Sequence, residues 1–365
     1  DTRELFIRVA TGMKELRFSI DHGIAGACAR DRAIVNVPDA YADDRFNREV
    51  DKKTGFRTRN ILSIPLINYE DELVGVLQVL NKCSGAFEDY DILIAEMLSS
   101  QAGVALQRAR LIDAMIEKQR MERELALARQ IQQGLLPARD PTLEGFEIAG
   151  WNEPAEETGG DCYDFFELRD GDGPAGLGVL IADATGHGIG PALVVAECRA
   201  LFRALTGSPE QIEQTMNGVN ELLVADLPDD KFVTAFFGIV TADGRLAWAS
   251  GGHGPMLWHR AADDSITHYN ATGLPMGISE DLPIKAGESI ALSDGDQFLI
   301  MTDGFFEYAD REGEQYGLER CEQWLRESRH LPPRDAILKL RDDVVAWAGH
   351  TPQLDDLTAV LIRRV

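Results

Sequence analysis

Little in this chain of 365 residues speaks for an oxidising compartment. Its five cysteines (Cys28, Cys83, Cys162, Cys198 and Cys321) are odd in number, scattered, and form no CxxC pair. They read as reduced thiols in a cytoplasmic protein rather than as a disulfide frame. Positive charge is also scarce: 36 Lys and Arg stand against 61 Asp and Glu, a formal net charge of −25. Nucleic acid and anionic membranes both need a positive face, so neither is an expected partner. No apolar run reaches the roughly 18–20 residues of a membrane helix, and no secretory apolar region opens the chain. Internal repeats and low-complexity stretches are missing. The first residue is Asp1 rather than methionine, and the chain opens inside what reads as a domain. It is therefore taken as a fragment that lacks upstream sequence.

What is present suffices for two or three domains. An apolar fraction of 44% is ordinary for a globular protein, so burying real cores is no difficulty. Residues 1–103 read as a small α+β domain. In "ELFIRVA" Leu5, Ile7 and Val9 share a face, in "KELRFSID" Leu16, Phe18 and Ile20 do, and "TGMK" supplies the hairpin turn. "NILSIPLIN" and "ELVGVLQVLNK" are two further strands, followed by a helix from about Asp91.

Residues 104–137 continue that helix without an obvious stop. A 3-4 repeat falls on Val104, Gln107, Leu111, Ala114, Lys118, Met121, Leu125, Ala128, Gln132 and Leu135, and seven of these ten are apolar. A long helix with so narrow a stripe wants a partner, and a parallel coiled-coil homodimer is expected. Gln107, Lys118 and Gln132 weaken the seam, and the alternative is one helix packed on its own domains. Gly134 and Pro137 end it.

Residues 138–365 are rich in short apolar runs with Gly and Asp at their ends. Examples are "GLGVLIAD", "FVTAFFGIV", "RLAWASGG", "DQFLIMTDG" and "LTAVLIRRV". Helical stretches lie between them at Pro191–Leu205, Ile212–Leu223 and Arg334–Ala348, which suggests layered sheets flanked by helices.

Four acidic spots in this region share one context. Asp161 sits in "TGGDCYDFF", Asp183 ends "VLIAD", Asp303 follows "FLIMT", and Asp355 and Asp356 precede "LTAVLIRR". Each abuts a run apolar enough to be buried strand, and strand ends are rigid places to build a site. Two unit charges 4 Å apart repel by about 4 kcal/mol at an effective dielectric of 20. If four such groups converge, protons or metal must neutralise them. An all-oxygen set suits Mg²⁺ or Mn²⁺ rather than structural zinc. A pair of such ions can activate a water and brace phosphoryl oxygens, so the expected chemistry is phosphate-ester hydrolysis. Against this, an isolated Asp-Gly after a strand is more often a turn than a ligand.

In chain order, "GGDCYD", "ADATGHGIGPAL", "SGGHGPML", "MTDGFFEYAD" and "DDLTAVLI" resemble the PPM metal-dependent serine/threonine phosphatases, in particular their SpoIIE/RsbU-like branch. "ARQIQQGLLP" is similar to the segment leading into that branch's catalytic domain, so the resemblance covers about 130–365. It implies an αββα-layered sandwich with two Mn²⁺ or Mg²⁺ ions at one edge. It also implies catalytic, metal-binding roles for Asp161, Asp183, Asp303 and Asp355. Ala184 matches the position whose backbone carbonyl joins the ligands. Asp356 stands beside Asp355 as a further ligand or as its neighbour's support. Two departures stand out. "EPAEETGG" lacks the phosphate-binding arginine of eukaryotic members, and His187 comes four residues after Asp183 rather than two. His187 is read as shaping the glycine-rich turn, and His253 as fixing another turn.

Residues 1–110 resemble a GAF domain through "GIAGACARDRAIVNVPDAYADDRFN", "DKKTGFRTRNILSIPLIN" and "VGVLQVLNKCSGAFEDYDILIAEMLSSQAGVAL". In "NKCSGAFEDYD", Asn81, Lys82, Phe87 and Asp91 match a signature of cyclic-nucleotide-binding GAF domains, with Ile92 in place of its closing Glu. These four are the candidate ligand residues, although Lys82 and Asp91 could equally be a salt bridge tying strand to helix.

The expectation is therefore an α+β protein with three parts. They are a GAF sensor (1–103), a helical coiled-coil linker (104–137) and a PPM-type phosphatase domain (138–365). It would hydrolyse phosphoserine or phosphothreonine on a regulatory protein by a two-metal-activated water. The resemblance implies a STAS-type anti-sigma-factor antagonist as that substrate. The rival reading is a catalytically weak or inactive phosphatase-like module that responds to a cyclic nucleotide or another small ligand.

Overall fold

The computed structural model describes residues 4–6, 17–170, 173–349 and 351–365. The chain divides into two compact units, Asp1–Met121 and Glu122–Val365.

In the first unit β1 (Glu4–Phe6) pairs antiparallel with β2 (Arg17–Ser19), Leu5 opposite Phe18. The expected "TGMK" turn, with Ile7, Val9 and Leu16, lies outside the described residues. After α1 (Gly23–Asp31) come β3 (Val35–Val37), α2 (Arg48–Thr54), β4 (Ile61–Ile67) and β5 (Leu73–Leu80). The last three strands form one antiparallel sheet in the order β3-β4-β5. Small cores lie around Ile24, Val37 and Ile61, and around Leu62, Ile64 and Phe87.

The long helix α3 (Asp89–Leu135) has 47 residues, roughly 70 Å at 1.5 Å per residue. It begins two residues before Asp91 because the Asp91 carboxylate accepts the backbone N–H of Glu88 at 2.7 Å, capping the first turn. Near its start Gly103 lies so close to β4 that a Cβ there would meet the Ile67 carbonyl at 2.5 Å. Residues 111–120 are all exposed, including Leu111, Ile112, Met115 and Ile116. Among the described residues no helix is long and apolar enough to cross a membrane.

The second unit is a four-layer sandwich. Its strands are β6 (Phe146–Glu153), β7 (Asp161–Asp170), β8 (Gly173–Ala184), β9 (Val233–Val240), β10 (Arg245–Gly251), β11 (Met256–Arg260), β12 (Ser265–Tyr269), β13 (Ile290–Ala291), β14 (Gln297–Met301) and β15 (Leu357–Arg364). They form two five-stranded sheets, β13-β10-β9-β8-β7 and β12-β11-β14-β15-β6. Helices α4 (Ile189–Leu205) and α5 (Ile212–Asp226) cover the first sheet. The short α6 (Asp303–Phe306) follows β14, and α7 (Leu318–Glu327) and α8 (Pro333–Trp347) cover the second sheet.

The period of two along each strand explains the continuous apolar runs. Val179 and Ile181 of β8 enter the core between the sheets, while Leu180 and Ala182 point to the core under α4 and α5. On β15, Val360 and Ile362 face inward while Leu357, Ala359 and Leu361 face α8. Each fully buried Phe, Leu or Ile is worth roughly 1.5–3 kcal/mol, so three such cores hold the strand ends rigidly.

Candidate functional site

Asp161 opens β7 and Asp183 is the penultimate residue of β8, where the two are partners in register. The second sheet brings its own acids to this edge. Thr302 follows β14 and donates from Oγ1 to Asp161 Oδ2 at 2.8 Å, while its backbone N–H donates to the Thr358 carbonyl at 2.9 Å. Asp303 comes next and starts α6, and Asp355 and Asp356 arrive just ahead of β15.

The double glycine before Asp161 has a packing reason. A Cβ on Gly159 would stand 2.2 Å from Asp356 Oδ2, and one on Gly160 would stand 2.7 Å from the Ala184 carbonyl. The Ala184 N–H donates to Gly160 O at 3.0 Å. Asp356 is buried and ties this loop inward, accepting from Ala155 N at 2.8 Å and from Asp161 N at 3.1 Å. Asp355 is the more exposed of the two, and its Oδ1 accepts from Asp356 N at 2.8 Å.

The carboxyl groups perturb one another. Burial, then the charges of Asp183 and Asp356, push Asp161 well above the usual carboxylate range. Burial, then Asp303, Asp355 and Asp356, raise Asp183 to about 7, partly offset by a hydrogen bond to Asp161. Burial and Glu307 raise Asp303, and burial, Asp303 and Asp356 raise Asp355. Uncompensated negative charge gathered on oxygen donors fits hard divalent cations. Among the described residues, however, no three His, Cys, Asp or Glu side chains close around one point as a finished metal cage. The aspartates act on one another without converging that far.

The histidines stand apart from this set. His187 is 82% exposed and pairs through Nδ1 with Glu156 at 3.2 Å. His253 is buried, lies 3.4 Å from Thr234 Oγ1, and is pushed down to about 4 by burial, so it is neutral.

In the first unit the four candidate ligand residues have partners within the fold. Asn81 accepts from Arg59 N at 2.6 Å and donates to Arg57 O at 2.9 Å. Lys82 Nζ meets Asp91 at 2.5 Å, and Phe87 is core.

Three residues at the site escaped sequence reasoning. Thr302 holds Asp161, Gln132 holds Gly159, and Lys231 lies over the loop after Asp183. In that loop Gly186 has φ +96°, and the Lys231 ammonium is 3.9 Å from where its Cβ would be.

Two buried sheets between helical layers, with acids at the strand ends, define the architecture of the metal-dependent PP2C-type phosphatases. Residues 173–365 match the family model of stage II sporulation protein E (SpoIIE), and residues 5–106 match that of the GAF domain. The SpoIIE match spans more than half of the chain, and Asp161 lies just ahead of it. This chain belongs to the SpoIIE family and carries a GAF domain.

Solved structures agree on the fold. The SiaA-PP2C domain of Pseudomonas aeruginosa is 22% identical with a TM-score of 0.58, covering 68% of this chain and 98% of that one. The PP2C phosphatase domain and regulatory fragment of SpoIIE from Bacillus subtilis is 22% identical with a TM-score of 0.52, covering 61% and 64%. Among curated proteins, the cGMP-specific 3',5'-cyclic phosphodiesterases of Drosophila virilis and Drosophila melanogaster are each 38% identical over 112 residues, 30% of this chain. The chain spans only 12% and 10% of their lengths.

Proposed function

We propose that this chain is a sensor-regulated protein serine/threonine phosphatase in which Asp161, Asp183, Asp303 and Asp355 hold two Mn²⁺ or Mg²⁺ ions. What supports this reading is the register pairing of Asp161 with Asp183 at the end of one sheet, joined through Thr302 to the strand end of the other. Burial, together with Asp303, Asp355 and Asp356 from that second sheet, raises Asp183. Ions bound there would supply Lewis acidity and an activated water for attack on a phosphoserine or phosphothreonine ester. The protein's own contributions are separable. Thr302 orients Asp161, Asp356 braces the approach loop, the Ala184 carbonyl is a candidate further ligand, and Lys231 offers a cation for substrate phosphate. His187, paired with Glu156 in solvent, has no part in proton transfer.

The proposed organisation is a GAF sensor over 1–103, a helical linker over 104–137 and a phosphatase domain over 138–365. The linker would form a parallel homodimer in the cytoplasm. The proposed substrate is a phosphorylated STAS-type anti-sigma-factor antagonist.

Mn²⁺-dependent hydrolysis of an aryl phosphate tests the site. Asp183→Asn and Asp303→Asn should each lower the rate by more than about a hundredfold, since changes one shell further out already cost 10–100-fold. Wild-type rates in both variants would sink the reading.

A second reading makes the GAF domain a cyclic-nucleotide receptor and the phosphatase domain a weak or silent output. It is favoured by the 38% identity to proteins named as cGMP-specific phosphodiesterases. Titration with cGMP and cAMP decides it: saturable binding without turnover of any phosphoprotein would favour the receptor alone.

A further inference from the structure

Gln132 interrupts the apolar seam of α3 three residues from the end of the helix. Its Nε2 donates to Gly159 O at 2.6 Å, and its Oε1 accepts from Gly159 N at 3.1 Å. The carboxamide thus satisfies both backbone groups of one residue, as the neighbouring strand of a ladder would. Gly159 is simultaneously packed against Asp356, whose Oδ2 would be 2.2 Å from any Cβ added there. That carboxylate holds both ends of the same loop, through Ala155 N at 2.8 Å and Asp161 N at 3.1 Å.

We propose that Gln132 is a positioning residue for the acidic site. By clamping Gly159 it fixes the loop of residues 155–161, and through that loop the carboxylates of Asp161 and Asp356. This rests on the phosphatase reading of the site and gives its regulation an address. A turn or slide of the last helical turn of α3 breaks two hydrogen bonds on Gly159 and loosens the backbone that carries Asp161. Helix and site are thereby coupled through one side chain. One of the three polar positions that weaken the seam is thus used by the helix's own domain.

The test compares Gln132→Met, which keeps length and helix propensity but cannot hydrogen-bond, with Gln133→Met on the exposed neighbouring position. In the full chain, Mn²⁺ binding is read by the loss of the free-ion electron paramagnetic resonance signal. Amide hydrogen exchange is followed in the peptide covering 154–161. Gln132→Met should weaken Mn²⁺ binding about five- to tenfold and speed exchange in that peptide, while Gln133→Met matches wild type in both. Gln132→Asn, one methylene short of Gly159, should behave as the Met variant does, and all are read well below their unfolding midpoints. Mn²⁺ affinity and exchange within twofold of wild type in both Gln132 variants would overturn the inference alone. Failure of the wild-type chain to bind Mn²⁺ would overturn the phosphatase reading and this inference with it.

Discussion

Asp161 and Asp183 are register partners on β7 and β8, close enough that the charge of Asp183 helps to raise Asp161. Two acids so placed cannot both ionise freely. Asp161 is raised by burial and by Asp183, and Asp183 by burial and by the acids of the second sheet.

This pairing sets a pH dependence. With Asp183 raised to about 7, the native state binds more protons than the unfolded chain between the usual carboxylate range and that value. Stability of the metal-free protein therefore falls as pH rises through the window. In chelator, the unfolding midpoint should drop between about pH 5 and 7, and Asp183→Asn should flatten the profile. Saturating Mn²⁺ should remove the slope. A flat wild-type profile in chelator contradicts the pairing.

Lys231 is held next to the Asp183 loop by its neighbour Phe232. Thr185 N and Oγ1 donate to Phe232 O at 3.1 and 3.0 Å, and Phe232 N donates back to Thr185 Oγ1 at 3.1 Å. Lys231→Ala is expected to raise KM for a phosphothreonine peptide about fivefold with kcat changed less than about twofold, the mark of lost uniform binding. Lys231→Arg should restore KM. An unchanged KM in the alanine variant would remove Lys231 from phosphate recognition.

Asp164, three residues along β7 from Asp161, is fully buried and meets Arg199 at 2.9 Å and Arg203 Nη2 at 2.8 Å, both on α4. Removing one partner of such a group leaves buried charge uncompensated. Asp164→Asn should cost about 3 kcal/mol, the low end for buried pairs because Arg203 is 45% exposed. Urea unfolding measures it, and a loss below about 1 kcal/mol would show the clamp to be marginal.

Leu111 and Met121 are 59% and 56% exposed on the apolar seam of α3. If this stripe seals a parallel homodimer, Leu111→Asp combined with Met121→Asp should convert a dimer to a monomer in sedimentation equilibrium. A monomeric wild type rules the dimer out.

The strands of the sandwich were legible because both faces of each sheet are buried, which makes runs such as "VLIAD" apolar without interruption. The long helix was legible from its length and its stops. Other features were not. Asp355 and Asp356 look alike in sequence, yet successive residues of an extended chain point to opposite sides. One turns into the loop to bind Ala155 and Asp161, and the other remains at the exposed edge. The GAF signature was equally ambiguous, for Asn81, Lys82 and Phe87 are the residue types a strand-to-helix junction uses for its own bonds. Gln132 looked like a flaw in a seam because its partner lies 27 residues away.

The amino-acid sequence by itself determined the layers, the helix and the identity of the acids, since periodicity and composition act over a few residues at a time. Which acids meet, which one braces a loop, and which loops around them Gln132 and Lys231 approach were decided by the tertiary structure. Only the pairing of β7 with β8 and the stacking of two sheets bring those distant side chains within hydrogen-bonding and Coulomb range.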